Sequence, residues 1–394
     1  MLLRPSEDSV FPNPAPRHNQ GRCMDHSHTF RAPRPDHLRL GMFSANCKGG
    51  LAISTAPGGW EATWANNLAL AEMADARGFD FHLPVARWIG TGHASGWMEE
   101  SLDSMAWASA LLARTQRIHV LATLHTAMHH PIAAAKACAT ASQIGDGRFG
   151  LNIVCGWNKP EYDMFGFDFK IDHVEKYAHG QEWFDIVRRI WSAREPFDHD
   201  GTHWHLRHVQ GLPPPVGGQP VVVNAAASLD GRAFAVRNCD YLLTVFPELD
   251  AAHAIVRDTK AQAAAIARIV QIIGITAVVC RPTLREAQEF DAWYSEQYAD
   301  WACVDHNLEL VGLYGGHLPA ELLQIYRRRF AQGFGGYPIV GDPDHVAREY
   351  ARMHAAGVDA CTVTFFNYLE EFPYFCDEVL PRLECLGVRR PLAV

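Results

Sequence analysis

Short apolar runs alternate with longer amphipathic segments along most of the chain from Leu38 onward. The short runs are rich in β-branched and aromatic residues and are predicted to be strands, whereas the longer segments have the period of helices. This alternation is typical of repeated βα units and a parallel sheet. The predicted strands are Leu38–Ser44, Phe79–Leu83, Ile118–Leu124, Phe149–Cys155, Pro220–Asn224, Tyr241–Val245, Ile272–Val279 and Ala360–Phe366.

Helices are predicted between these strands, over residues 63–77, 101–114, 132–144, 172–193, 229–238, 249–268, 283–297, 343–357 and 374–386. The helix 343–357 shows both of its boundaries, because Asp342 and Pro343 open it and Gly357 ends it. Eight strands with interleaved helices fit a closed barrel better than an open doubly wound sheet. The sequence therefore predicts an α/β fold, a (β/α)8 TIM barrel over residues 38–394.

Two segments depart from the βα rhythm. Residues 1–37 are rich in Pro, Arg, Asn and His without an apolar period, which predicts an extended N-terminal arm. Residues 298–341 place aromatic and Gly-rich turns around one short basic helix, Ala320–Phe330. We predict that this stretch is an insertion before the last βα unit, lying over the barrel mouth, and long inserted loops on barrels often act as lids.

Composition and charge narrow the function classes. The formal net charge of −9 leaves no excess of Lys and Arg for binding nucleic acid. The longest apolar stretches, such as Ile272–Cys280, are well short of the ~20 residues that span a bilayer, and the N-terminus does not resemble a signal peptide. The ten cysteines are scattered singly without a C-x-x-C pair, as in a reducing compartment. We therefore expect a cytoplasmic location, with no nucleic-acid partner and no membrane insertion.

Polar residues follow the predicted strands at their carboxyl ends, where ligands bind in a parallel barrel. They are Asn46 after the first strand, Arg87 and Trp88 after the second, Thr123 and His125 on and after the third, Asn152 and Trp157 on and after the fourth, and Ser228 after the fifth. Ser228 precedes a helix whose N-terminal amides could hold a phosphate, although a serine there could equally serve only as a helix cap.

Several histidines raise the question of a metal site. His203, His205 and His208 lie in the segment Phe197–His208, whose alternation and Asp200-Gly201 turn predict a surface β-hairpin. His125 has no carboxylate or cysteine at matching spacing. We predict no metal, and we expect His125 to be either a general acid or base, a hydrogen-bond donor to substrate, or a packed core histidine.

The run 147–162, GRFGLNIVCGWNKPEY, resembles the G-R-F-x-x-N-x-V-x-G-W-x-x-x-E-[FY] motif of the luciferase-like, FMNH2-dependent monooxygenases. Other features of that family are matched by the Gly-rich segment 49–54, by Arg87, by Ala122-Thr123 and by Lys176-Tyr177. The resemblance covers residues 38–245 and the helix beginning near 341. Within the family, the pattern is nearest to the pyrimidine oxygenase and dimethylsulfone monooxygenase group.

The resemblance implies roles for individual residues. It implies an FMN site lined by Ala86, Arg87, Thr123, Asn152, Glu161, Lys176, Tyr177 and Ser228. Thr123 and Asn152 would flank the flavin edge where O2 reacts, and with His125 they form the predicted catalytic set. The predicted substrate contacts are Asn46, Trp88, His125 and Trp157. The sequence departs from the group at Trp88 and His125, which leaves the substrate undefined.

The implied function is a two-component monooxygenase that uses FMNH2 and O2 to oxygenate a small organic molecule, with an N-heterocycle as one candidate. No G-x-G-x-x-G follows a strand, so a separate NAD(P)H-dependent flavin reductase would supply the reduced FMN. A homodimer or homotetramer is expected from the family. The alternatives are a sulfone or alkanesulfonate monooxygenase that cleaves a C–S bond, a deazaflavin-dependent oxidoreductase, a non-catalytic flavin-binding barrel, and a flavin-free hydrolase, which would need a metal.

Overall fold

The computed structural model of the protein describes residues 30–33, 36–167, 173–313 and 319–392. Most of the predicted N-terminal arm and a short part of the predicted insertion lie outside these residues. The division of the chain into arm, barrel and insertion therefore remains a prediction.

The strands in the described residues are β1 (Arg39–Phe43), β2 (Phe81–Leu83), β3 (His119–His125), β4 (Phe149–Val154), β5 (Phe197–Asp200), β6 (His205–Val209), β7 (Val221–Ala225), β8 (Tyr241–Thr244), β9 (Gln271–Cys280), β10 (Tyr337–Gly341) and β11 (Ala360–Thr364). The helices are α1 (Trp64–Ala76), α2 (Ser104–Arg114), α3 (Pro131–Ile144), α4 (Lys159–Met164), α5 (His173–Ser192), α6 (Leu229–Asn238), α7 (Leu249–Ala265), α8 (Leu284–Ala292), α9 (Trp301–Leu310), α10 (Ala320–Gly333), α11 (Pro343–Ala355) and α12 (Tyr368–Cys385). A π-helical turn, Trp293–Gln297, follows α8.

A closed parallel barrel forms the centre of the molecule. In the described part of the chain the barrel strands follow the order β1, β2, β3, β4, β7, β8, β9, β11, and β11 pairs with β1 to close the ring. The eight strands predicted from the sequence are these eight, with ends that differ by at most two residues. The predicted (β/α)8 barrel is confirmed.

The strand β9 is longer than its neighbours and pairs in two different ways. Its first half pairs with β8, whereas its second half, Thr276–Cys280, pairs in parallel with β10. The strand β10 and the helix α9 were not predicted, because only one helix was expected in residues 298–341. Proline at position 338 and the glycines before Tyr337 concealed the strand, because both residue types are depleted in strands.

Two further predictions can be compared with the structure. The segment 197–209 forms the antiparallel pair β5 and β6, so the predicted surface hairpin is confirmed. Glu182 of α5 fixes this hairpin by accepting backbone N–H groups from its turn. The last helix was predicted to begin near residue 374, which is wrong, because α12 begins at Tyr368 and continues through Pro373.

Side chains that point inward fill the barrel in layers. Phe81 occupies the space above Gly41, where an added Cβ would lie 2.4 Å from the ring. The apolar cluster inside the barrel includes Leu121 and Val223, and it continues upward into Leu308 and Phe330 of the predicted insertion. Helices α9 and α10 therefore pack over the carboxyl end of the barrel.

An aromatic side chain closes the opposite, amino-terminal end of the barrel. The Phe30 ring is 3% exposed and stacks on His119 and Tyr241, with ring centroids 4.8 and 5.0 Å apart. The Tyr241 hydroxyl donates a hydrogen bond of 2.6 Å to the carbonyl oxygen of Phe30. The residues just before β1 therefore form the floor of the barrel.

No helix among the described residues is long and apolar enough to cross a membrane.

We expect His82→Leu to make the protein less sensitive to acid. His82 on β2 is fully buried, and burial lowers the pKa of its imidazole to about 3. Below about pH 6.5 the imidazole of His82 takes up a proton in the unfolded chain but not in the folded chain. His82 therefore lowers the free energy of unfolding as the pH falls from 6.5 towards 3, by up to ~1.4 kcal/mol per pH unit. Leucine removes that contribution.

Urea denaturation between about pH 6.5 and 4 measures the effect as the slope of the unfolding free energy against pH. The wild-type slope should be steeper than that of His82→Leu. The control is His253→Leu, because His253 lies exposed on α7. Equal slopes in the wild type and in His82→Leu would contradict the prediction.

Candidate functional site

A cavity of about 530 Å³ opens beside the carboxyl ends of β2 and β3. It lies next to the N-terminal ends of α1 and α2, as expected for a ligand site on a parallel barrel. Its lining residues are Ala62, Thr63, Ala86, Arg87, Trp88, Glu99, Glu100, Ser101, Leu102, Asp103, Ser104, Thr123, Leu124 and His129. Four of the residues predicted from the sequence, Ala86, Arg87, Trp88 and Thr123, therefore share one cavity.

A buried ion pair joins the loop after β2 to the helix after β4. The Glu161 side chain has no solvent exposure, and its Oε1 lies 3.4 Å from Nη1 of Arg87. The same oxygen accepts the backbone N–H of Trp88 at 3.0 Å. Oε2 of Glu161 and Nε of Arg87 are buried and have no hydrogen-bond partner within the described residues. The pair fixes two loops and leaves one acceptor and one donor unused.

Thr123 on β3 and Asn152 on β4 are direct neighbours in the sheet, and both are polar residues on its inner face. Nδ2 of Asn152 donates to Oγ1 of Thr123 at 3.1 Å, and that hydroxyl donates to the carbonyl of Pro84 at 2.5 Å. Oδ1 of Asn152 is buried and accepts no hydrogen bond from the part of the chain described here. A buried amide oxygen without a partner is costly, so this atom is available to a ligand that donates a hydrogen bond.

The glycine of the GWNKPEY segment is required by its surroundings. Gly156 has φ of 109°, and a Cβ added there would lie 1.7 Å from the hydroxyl oxygen of Tyr162. That hydroxyl donates to the Cys155 carbonyl at 3.2 Å. Lys176 of α5 donates to the Gly156 carbonyl at 3.1 Å, and burial lowers the pKa of this lysine. The loop after β4 is thus held from both sides.

Ser228 and Tyr177 meet at the N-terminal end of α6. Oγ of Ser228 accepts the backbone N–H of Gly231 at 3.2 Å, so the serine caps the helix, as one of the two sequence interpretations had it. The Tyr177 hydroxyl is hydrogen-bonded to Ser228, and burial raises the pKa of this tyrosine. A Cβ on Gly231 would lie 2.6 Å from the Tyr177 hydroxyl oxygen. The Tyr177 hydroxyl therefore lies close to the capped end of the helix, whose first backbone amides have no acceptor within the helix.

His125 is not placed to titrate near neutral pH. It is 2% exposed, and burial, together with the charge of Arg87 and the nearby His129, lowers its pKa to about 3. A pKa this low disfavours the predicted role of general acid or base and favours the two other expectations, a hydrogen-bonding group or a packed core histidine. The Trp88 ring packs edge-on against His125, with centroids 5.2 Å apart, and the Nδ1 atom has no hydrogen-bond partner among the described side chains and backbone.

Asn46 has a structural role beside the site. It is fully buried, its Nδ2 donates to the carbonyls of Val85 and Leu102, and its Oδ1 accepts the backbone N–H of Val85. With these contacts Asn46 fixes two loops and has no exposed surface for a substrate. This geometry argues against its predicted role as a substrate contact.

Trp157 lies at the junction between the rim and the insertion. The Arg87 guanidinium carbon stands 4.8 Å from the centre of the Trp157 ring, and Phe334 approaches the same ring at 6.3 Å. Trp157 is half-buried. It therefore remains a candidate for contact with a bound molecule.

Sequence reasoning missed several residues near the rim, namely Trp97, Asn158, His306 and Phe334. Trp97 and Asn158 are buried beside Arg87, and His306 belongs to α9. Only Asn158 carried a signal, because it lies inside the quoted motif. The others lie in loops and in the insertion, where no periodicity indicates contact with the rim.

Among the described residues, no group of three or more His, Cys, Asp or Glu side chains is arranged to hold a metal ion.

Comparison with known proteins identifies relatives over most of the chain. The family model described as luciferase-like monooxygenase matches residues 38–360. An FMNH2-dependent dimethylsulfone monooxygenase from Pseudomonas fluorescens is 30% identical over 350 residues, which cover 87% of this chain and 94% of that protein. The pyrimidine monooxygenase RutA of Pseudomonas syringae pv. syringae is 30% identical over 206 residues, or 52% of this chain and 56% of that protein.

Solved structures share the fold. The crystal structure of DmoA from Hyphomicrobium sulfonivorans has a TM-score of 0.78 at 19% identity and covers 90% of this chain and 89% of that one. A riboflavin lyase crystallised with modified FMN and riboflavin also has a TM-score of 0.78, at 20% identity, with coverage of 90% and 93%. At these identities the similarity supports the barrel fold alone.

We expect Gly156→Ala to destabilise the protein by about 3 kcal/mol or more, because the methyl group would overlap the Tyr162 hydroxyl and φ is unfavourable for alanine. The matched control is Gly166→Ala. Gly166 also has positive φ, but no atom of the described residues lies within 4 Å of an added Cβ, so the cost should be only ~1 kcal/mol. Urea denaturation of both variants measures the difference. Equal losses would show that the contact with Tyr162 has no energetic role.

Proposed function

This chain belongs to the luciferase-like monooxygenase family, and from that premise we propose that it is a two-component enzyme that uses FMNH2 and O2 to oxygenate a small, neutral organic molecule. The observation that carries the proposal is the buried Oδ1 of Asn152. This atom has no partner among the described residues and stands beside Thr123 at the rim of the cavity. The family match and this unused acceptor point to the same edge of the barrel.

The residues present fit reduced FMN. Reduced flavin carries ring N–H groups, and Oδ1 of Asn152 and Oε2 of Glu161 are buried acceptors that such groups could satisfy. Ala86 and Arg87 line the cavity of about 530 Å³ and would contact the ring. When bound, FMNH2 supplies the two electrons with which one atom of O2 is inserted into the substrate and the other is released as water.

The phosphate of FMN would be held at the N-terminal end of α6. Ser228 and Tyr177 offer hydroxyl groups there, and the helix adds its unpaired amides and positive dipole end. Lys176, which is held against the Gly156 carbonyl, adds a positive charge nearby. These residues lie between the loop after β4 and the N-terminal end of α6, which follows β7.

On the substrate side, the protein's contribution is to orient and to exclude water. Burial lowers the pKa of His125 to about 3, so its neutral ring would serve as a hydrogen-bonding and packing group against Trp88. Helices α9 and α10 cover the mouth with apolar side chains that join the interior cluster. Exclusion of water from this space protects reactive oxygen chemistry from side reactions.

The charges around the cavity favour a neutral substrate. The cavity lining includes three carboxylates, Glu99, Glu100 and Asp103. Among the described lining residues the one arginine, Arg87, is already paired with Glu161, and Glu100 lies 3.5 Å from Nζ of Lys48, which leaves Glu99 and Asp103. An anionic substrate such as a sulfonate would meet net negative charge, so we favour an N-heterocycle, with a neutral sulfone as the second candidate.

We further propose the setting in which the enzyme works. A separate NAD(P)H-dependent reductase supplies FMNH2, because the sequence has no dinucleotide-binding motif after a strand. The expected location is the cytoplasm, and the expected assembly is a homodimer or homotetramer, as the family resemblance implies.

Anaerobic titration followed by mixing with O2 tests the proposed activity. The wild-type protein should bind FMNH2 and, with a reductase, NADH, O2 and a panel of heterocycles and sulfones, should form an oxygenated product. Asn152→Ala should weaken FMNH2 binding by about tenfold and should reduce turnover by at least the same factor. Preferential binding of reduced deazaflavin would favour the deazaflavin-dependent alternative. FMN binding without any oxygenation would favour the non-catalytic alternative.

We expect the double variant Tyr177→Phe, Ser228→Ala to lose affinity for FMN but not for riboflavin. The two hydroxyls would contact only the phosphate, and their loss should weaken FMN binding by about tenfold or more. Isothermal titration with both flavins measures the ratio of the two affinities. Riboflavin serves as the internal control for folding, and an unchanged ratio would place the phosphate elsewhere.

A further inference from the structure

Phe334, the residue directly after α10, has a backbone conformation that suits glycine better than phenylalanine. Its φ is 48° and its ψ is 43°, in the left-handed region that the residue after a helix commonly adopts as glycine. Glycines stand on both sides of it, at positions 333 and 335. A phenylalanine here costs conformational energy that glycine would avoid, which indicates that the ring has a role of its own.

A second bulky residue is strained in the same way at the same contact. Met98 is 2% exposed, has φ of 57°, and directly follows Trp97 in the chain. The Phe334 ring stacks on Trp97, with centroids 5.0 Å apart and an angle of 29° between the planes. Met98 and Phe334 are the two large apolar residues with positive φ in the described part of the chain. Strained backbone on both sides of one ring contact indicates that this contact between loop and insertion has a function.

The Phe334 ring joins a buried indole to a half-buried one. Trp97 is 2% exposed and belongs to the interior cluster of the barrel, whereas Trp157 is half-buried at the rim. Phe334 approaches Trp157 with centroids 6.3 Å apart, within the range in which aromatic rings attract each other. Among the described residues it is the one aromatic ring that contacts Trp157. The interior cluster therefore supports Trp157 through Phe334.

Arg87 depends on Trp157 for its orientation. The guanidinium carbon lies 4.8 Å from the centre of the Trp157 ring, which is a cation–π contact. Within the described residues the guanidinium makes one hydrogen bond, to Glu161, and at 3.4 Å this bond is long. Nε of Arg87 has no partner among the same residues. A single long hydrogen bond does not fix the plane of a guanidinium group, so the Trp157 ring supplies the second constraint.

We propose that Phe334 is a positioning residue of the flavin site. Its ring holds Trp157, and Trp157 holds the Arg87 guanidinium in the orientation with which it contacts the ring of the cofactor. The proposal rests on the proposed function, in which Arg87 contacts the flavin ring, and it adds a residue of the insertion to that site. Loss of the Phe334 ring should weaken the binding of the flavin ring and should leave the binding of the phosphate unchanged.

Anaerobic titration of Phe334 variants with FMNH2 tests the proposal. Phe334→Ala should raise the Kd for FMNH2 by about fivefold, which is the factor that an aromatic contact contributes. Phe334→Tyr keeps the ring and should bind within about twofold of the wild type. Reduced riboflavin should show the same loss as FMNH2, because the phosphate is not involved. Wild-type affinity in Phe334→Ala, or equal losses in the alanine and tyrosine variants, would overturn the proposal.

Phe334→Gly separates the role of the ring from the stability of the fold. Glycine adopts the left-handed conformation without a Cβ penalty, so this variant should have a Tm about 2 °C above that of Phe334→Ala. Both variants lack the ring, so both should bind FMNH2 equally weakly. Should the alanine variant fail to fold, the glycine variant takes its place in the comparison with the wild type. An affinity that recovers together with the Tm would assign the ring to folding alone.

The matched control for strain is Ala267→Gly. Ala267 has φ of 55° and lies exposed between α7 and β9, far from the rim. Glycine there should raise the Tm by a similar amount, about 2 °C, and should leave the Kd for FMNH2 unchanged. A change in that Kd would show that relief of strain alone alters flavin binding, and would overturn the role given to the Phe334 ring.

A double-mutant cycle tests whether Phe334 acts through Trp157. In a Trp157→Ala background, Phe334→Ala should have no further effect on the Kd for FMNH2, because the ring that it supports is gone. In a Trp88→Ala background the two losses should multiply, since Trp88 has no ring contact with Phe334 among the described residues. Losses that multiply in both backgrounds would contradict the proposal. Absence of FMNH2 binding by the wild type would instead remove the proposed function itself.

Discussion

A carboxylate without solvent exposure, that of Glu161, holds together the two loops from which the site is built. A buried charge is tolerated only when it is paired and hydrogen-bonded, so Glu161 fixes the positions of its partners, the Arg87 side chain and the Trp88 backbone. Arg87 in turn stands against the Trp157 ring. The loop after β2 and the loop after β4 thus behave as one unit, and residues on both loops depend on this pair for their geometry.

The side chains inside the barrel change in polarity along the barrel axis. Its floor is aromatic, because Phe30 stacks between His119 and Tyr241, and its middle is apolar. Its upper rim carries the polar groups Thr123 and Asn152, and Oδ1 of Asn152 has no hydrogen-bond partner among the described residues. A rigid lower body and a polar upper rim are the physical requirements for holding a large planar cofactor without collapse of the pocket.

The sequence was most informative where local rules decide the structure. Buried parallel strands leave continuous apolar runs, so all the barrel strands could be predicted, and the motif around Gly156 was specific because its backbone conformation and the Tyr162 contact admit only glycine. The strand Tyr337–Gly341 was missed because its pairing with β9 is a tertiary event that Pro338 conceals. The neutral state of His125 and the supporting role of Asn46 depend on burial by distant segments. Trp97 and Phe334 come together only through the fold, and no spacing in the sequence could indicate their contact.

The attachment of β10 to the upper half of β9 has an evolutionary consequence. This connection consists of main-chain hydrogen bonds, which almost any sequence can supply, and it lies beyond the stretch of β9 that pairs with β8. Selection can therefore vary those side chains of α9 and α10 that lie outside the interior cluster while the ring of strands stays intact. Divergent members of such a family could acquire new specificities by exchanging this one module, much as antibodies vary loops on a constant framework.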